Sequence, residues 1–148
     1  MAHTIKIKRS ETSSAEPTGS DLSTHEIAMN VTDGKIFTKA ANFKSVAAAS
    51  VGTSLTTVYT CPSATTVTII GLYLCNQSGG AIEANVEFYD ASATAHIGIV
   101  SQIEIPGQST LAPIGGDAKV VLEAGDIIKV QSNIASSIDV VLSYLEQT

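Results

Sequence analysis

His3, His25 and His96 are the histidines of this chain, and none has a second His or a Cys at metal-ligand spacing. A Ser–His–Asp set can be composed on paper from its many serines, but no nucleophile elbow frames one. No glycine-rich run lies between a strand and a helix to cradle a phosphate. Glu83, Glu87 and Asp90 fall on one alternating stretch, with Glu83 and Glu87 on the same side. Paired acids of this kind serve glycoside hydrolysis. Their side of the strand reads as solvent-facing, however, and the chain has no Trp to form a sugar platform, so a solvated face is expected. Asp117 and Asp126, each beside a glycine, read as turn acids, with a weak calcium site between loops as the alternative. Cys61 precedes Pro62 at a strand end, and Cys75 follows the apolar run from Val67 to Leu74, where a small buried hydrophobe is expected rather than a disulfide partner. The expectation is a chain with no catalytic residues, no cofactor and no metal.

Charge narrows the partners. Residues 1–44 hold six basic side chains against five acidic ones, and residues 45–148 hold Lys119 and Lys129 against nine acids. An acidic body argues against binding nucleic acid through phosphates, which needs clustered Lys and Arg. The cluster Lys6, Lys8 and Arg9 is too small to change that reading. The first residues alternate with charges and lack the apolar core of a secretory signal, and the longest apolar stretch falls well short of the ~20 residues of a spanning helix. Cytoplasmic synthesis without a membrane span is expected.

The elements that position these residues are strands. Val, Ile, Leu, Ala and Thr dominate, and β-branched side chains suit a pleated, half-buried surface. Strands are expected near 46–51, 55–60, 66–76, 81–90, 96–105, 109–114, 119–122, 127–132 and 138–146. Turn residues separate them, such as Cys61-Pro62-Ser63, Ser78-Gly79-Gly80, Pro106-Gly107 and Ala124-Gly125-Asp126. In the 82–90 stretch Ile82, Ala84, Val86 and Phe88 share one face; near the C-terminus Ile138, Val140, Leu142 and Tyr144 do. In "TVTIIGLYLCN", strict alternation puts Val67, Ile69, Gly71, Tyr73 and Cys75 on one face, and Thr68, Ile70, Leu72 and Leu74 on the other. Both faces being apolar, that strand is expected to be covered on each side. Short strands at this spacing predict an all-β fold, an antiparallel β-sandwich. The stretch from Val120 to Ser132 resembles the Leu-x-x-Gly-Asp turn of jelly-roll heads, including C1q-like, tumour-necrosis-factor-like and viral fibre heads, and so points to a jelly-roll-like sandwich.

The composition divides the chain into an arm, 1–44, and a sandwich domain, 45–148. In the arm Ile5 and Ile7 alternate with Lys6 and Lys8 as a strand that must pair with something to be ordered. "NVTDGKIFTK" reads as a hairpin with Asp33-Gly34 as a two-residue turn. The ordered series "IKIKRS", Pro17, Leu22, "HEIAMN" and "DGKIF" resembles the N-terminal module of tailed-bacteriophage virion proteins, commonly tail fibres and related appendages; His25 stands where that module has glycine. The sandwich is similar, less specifically, to β-domains of phage structural proteins. The resemblance implies a non-enzymatic virion structural protein that assembles through its arm, as a homotrimer, with other virion proteins. Its arm interface would comprise Ile5, Ile7, Arg9, Leu22, Glu26, Asn30 and Phe37. A tail or neck fibre or tail-associated appendage is the first expectation and a capsid decoration (cement) protein the second. A host-surface glycan-binding module is a rival that an aromatic cluster around Tyr59, Tyr73, Phe88 or Tyr89 would favour.

Overall fold

A computed structural model describes residues 8–12, 27–38 and 41–147. The chain divides into two compact units, Met1–Ala41 with Gln147–Thr148, and Asn42–Glu146. All regular structure among the described residues is β.

The first unit contains a three-stranded sheet, β1 (Lys8–Ser10), β2 (Ile27–Asn30) and β3 (Lys35–Thr38), in that order. β1 pairs with β2 in parallel, Lys8 opposite Ala28 and Ser10 opposite Asn30. A parallel pair needs a crossover of a dozen or more residues, and residues 11–26 supply that length of chain. β2 and β3 form the expected hairpin, but its turn is longer than the sequence suggested. Asn30 and Lys35 are the last pair, so four residues, Val31–Gly34, make the reversal, with Gly34 at φ +65°. The Asn30 side chain holds the turn open at this length, as described below.

The second unit is a sandwich of eight positions. One sheet runs β10 (Val120–Leu122), β6 (Thr66–Asn76), β12 (Ile138–Gln147), β4 (Ala41–Val51), with β9 (Thr110–Ile114) continuing the β10 edge along β6. The other runs β5 (Thr56–Thr60), β11 (Ile127–Ser132), β7 (Ile82–Asp90), β8 (Ala95–Ile105). The strands thus nest as β4 with β12, β5 with β11, β6 with β9 and β10, and β7 with β8. That nesting of a ribbon folded back on itself is the jelly roll. Fully buried Ile69, Leu72, Ile82, Ile128, Ile138 and Leu142 fill the space between the sheets. The expected inward faces of β7 and β12 are the observed ones, Ile82, Ala84 and Val86 on one and Ile138, Val140, Leu142 and Tyr144 on the other.

β6 departs from strict alternation. Val67 and Ile69 point into the core, the phase then slips by one at Ile70–Gly71, and Leu72, Leu74 and Asn76 point inward instead. A slip of this kind is what an extra residue in a strand produces. The Tyr73 ring lies over Gly71, where an added Cβ would come within 3.1 Å of it and push the exposed ring aside. The slip brings both apolar halves of the strand to one core and turns Tyr73 and Cys75 outward. Cys75 is therefore half-exposed rather than a buried hydrophobe, while Cys61 is buried, and both are free thiols. β4 is also longer than expected, starting at Ala41, with Val46 and Ala48 packed on the core.

Candidate functional site

The arm residues proposed for assembly fall unevenly on the described structure. Ile5, Ile7, Leu22 and Glu26 lie outside the described residues. Arg9 sits in β1 opposite Met29, and Phe37 in β3 opposite Ala28. Asn30, the last residue of β2, is 1% exposed and organises the unit. Its Nδ2 donates to the Thr12 carbonyl at 3.0 Å and to Asp33 Oδ2 at 2.9 Å. Its Oδ1 accepts from the N–H groups of Thr32 and Asp33 at 3.1 and 3.2 Å. Thr32 Oγ1 donates to the Glu11 carbonyl at 2.7 Å, and Val31 N–H to the Ser10 carbonyl at 3.0 Å. One buried amide thus joins the end of β1 to the β2–β3 turn. The Asn-x-x-Asp-Gly spacing is the sequence signal for it: an asparagine oxygen bonds backbone two and three residues on and shapes the turn.

In the sandwich, the acids take structural places. Asp126 is buried, its Oδ1 accepting from Ala91 N–H at 3.0 Å and its Oδ2 from Glu123 N–H at 2.8 Å. Gly125, at φ +92°, donates to the Cys61 carbonyl at 3.0 Å, and Cys61 N–H to that of Asp126 at 2.8 Å. The Gly-Asp turn therefore ties three loops at one end of the sandwich, more than a local cap. Glu83 stands opposite Glu104, and Glu87 lies 3.1 Å from His96 Nδ1, all on the outward side of β7 and β8. Among the described residues no three His, Cys, Asp or Glu side chains are placed to hold one metal ion.

The aromatics named for glycan binding do not gather. Tyr73 is exposed on the β6 sheet; Phe88 packs on the core. Tyr89 packs against His96 with the rings tilted by 52°, and Lys129 Nζ lies 5.4 Å from its ring centre. Tyr59 leans on Tyr144, ring centres 4.5 Å apart, and its buried hydroxyl finds no hydrogen-bond partner. Burial raises that phenol well above the usual tyrosine range, and burial likewise pushes the Cys61 thiol up. Beside them Lys44 Nζ donates to Glu146 Oε1 at 2.5 Å, which raises the lysine above its ordinary value. Sequence reading missed this cluster because Lys44 and Glu146 meet only through the β4–β12 pairing of the chain ends.

No family model matches the chain, and no curated protein matches it. A solved structure reported under Bacillus endospore appendages, described as a novel family of disulfide-linked pili, overlaps with 76% of this chain and 91% of its own, at 12% identity and a TM-score of 0.48. Nothing about this chain's function follows from a likeness at that level. The fold itself places the chain among all-β proteins with a jelly-roll sandwich.

Proposed function

We propose that this chain is a non-enzymatic structural protein of a bacteriophage particle, joined to it by the N-terminal arm and belonging to a tail or neck fibre or tail-associated appendage. The observation that carries the reading is the arm unit itself. A short basic strand pairs in parallel with a hairpin closed by Asn30 and Asp33, on the residues of "HEIAMN" and "DGKIF" that resemble the phage module. A small sheet of this kind suits docking by strand addition and apolar burial, in which backbone groups give affinity and alternate side chains give specificity. In this reading Ile5, Ile7, Arg9 and Leu22 contact neighbouring virion proteins, while Glu26, Asn30 and Phe37 shape the module. The sandwich forms the exposed head of a homotrimer.

Deleting residues 1–40 tests it. The truncated protein is expected to be absent from purified particles while the full chain is incorporated; normal incorporation of the truncated chain overturns the reading. Labelled copies gathered at one vertex support a tail or neck component. Copies spread over the shell would make it a decoration protein instead.

A further inference from the structure

The large apolar side chains that the sandwich exposes fall, Ile134 apart, on two patches. The first is the outer face of the β10-β6-β12-β4 sheet, where Phe43, Tyr73, Val121 and Val141 are 45–79% exposed. The outward positions between them are Ser, Thr, Ala, Ile, Leu and Cys. Asp139 is the charged exception, and its carboxylate already accepts the Ser50 N–H at 2.9 Å. The outer face of the opposite sheet is different, carrying Glu83, Glu87, His96 and Lys129. The second patch is the sheet-edge strand β8, uncharged over the seven residues from Ile97 to Ile103, with Ile97 47% and Ile103 38% exposed.

We propose that these two patches are the two halves of one contact between copies of this chain, the neutral sheet face of one protomer receiving the β8 edge of the next. The inference rests on the reading of the protein as a self-assembling structural component. Three observations select a second copy as the occupant. The body is acidic, so copies repel wherever acidic surfaces meet, and both patches are the places where that repulsion is weakest. Four strands at ~4.8 Å spacing and ten residues at ~3.4 Å each make a face of roughly 650 Å². The β8 edge, 11 residues at ~3.4 Å each by a sheet thickness of ~10 Å, covers roughly 370 Å² of that face. That is under half of the ~800 Å² per partner of a standard interface, so stability comes from closure, which gives each copy two such contacts.

The third observation concerns symmetry. Two faces packed on each other would bury the first patch and leave β8 bare, whereas face against edge buries both. β8 is also bulged where it pairs with β7, and Gln102, at φ +49°, donates its N–H to the Asn85 side chain at 2.8 Å. Bulges blunt an edge as a template for continuous strand pairing, so β8 contributes side chains to the contact rather than a ladder. The contact is heterologous, with face and edge about 90° apart, and copies that turn through such an angle without a rise close into a small ring.

The full-length chain and two double variants, Tyr73→Glu with Val141→Glu and Ile97→Glu with Ile103→Glu, test this by native mass spectrometry and light scattering. All four positions are solvent-exposed, and far-UV circular dichroism checks that the variants fold. The wild type is expected as a closed oligomer and each variant as a monomer. An equimolar mixture of the two variants is expected to give a one-to-one heterodimer, because a single intact face meets a single intact edge. If the β8 variant keeps the wild-type mass, copies pack face to face and the proposal is wrong. A monomeric wild type, or variants that both keep its mass, also overturns it and leaves the patches to a different protein. Either failure leaves the virion reading standing, since incorporation into particles is measured separately.

Discussion

Asn30 and Asn76 hold the same post in two different settings. Each is the last residue of a strand, each is 1% exposed, and each bonds the N–H two residues on. Each also reaches across the fold: Asn30 to the Thr12 carbonyl, and Asn76 Nδ2 to the carbonyls of Gly80, Ile105 and Pro106 at 2.9–3.0 Å. Around Asn76 lies a core of Ile, Leu and Val, whereas residues 1–44 are thin in such side chains. The body therefore has hydrophobic burial as its main source of stability and polar bonds to fix its loops. The arm unit, a sheet of three short strands, depends far more on hydrogen bonds.

That contrast can be broken at several points. The largest effect is expected from Leu142→Ala in the core, a loss of about 3–4 kcal/mol in urea unfolding of the body, from lost burial plus a residual cavity. Asn76→Ala is expected to cost about 3 kcal/mol in the same measurement, because it strands buried carbonyls at two loops. Were it to cost nothing, the polar hub would not matter to the body. Asn30→Ala should instead cost about 1–2 kcal/mol locally. It would speed amide hydrogen exchange at residues 8–12 and 27–38 while leaving the unfolding midpoint of the body unchanged. A shifted midpoint would show that the two units unfold together.

Smaller effects sharpen the picture of the body. Tyr59→Phe removes a buried hydroxyl that has no partner and is expected to raise stability by about 0.5–1 kcal/mol. A loss on that substitution would reveal a bond the hydroxyl makes in solution. The Lys44–Glu146 pair sets a modest alkaline dependence. Hydrogen bonding to Glu146 raises the lysine, so its contribution is fully present below the ordinary lysine range and disappears as pH climbs through the raised value. Glu146→Gln should flatten that alkaline decline in unfolding midpoints measured from neutral to strongly basic pH.

Much of this architecture was legible in the residues. Period-two alternation in β7 and β12 and the turn residues between runs placed the sandwich strands within a few positions, because each strand must bury one face. The Asp33-Gly34 signal found the hairpin but not its length, because a two-residue Asp-Gly turn leaves out Asn30, three residues upstream, whose side chain bonds Thr32 and Asp33 and enlarges the turn. β6 misled for a similar reason. Strict alternation gave it two apolar faces, while a slip at Ile70–Gly71 turns both halves toward one core.

By itself, the sequence determined that the chain would be β, that it would have an arm poor in core residues, and that its acids would favour turns and outer faces over a shared cleft. These follow from local preferences and from the pattern of apolar side chains. Only the tertiary structure decided the jelly-roll order of strands, the meeting of Lys44 with Glu146 and of Tyr59 with Tyr144, and the neutrality of one sheet face against the charge of the other. Those depend on which strands become neighbours, and residues far apart in the chain carry no local signal of that pairing.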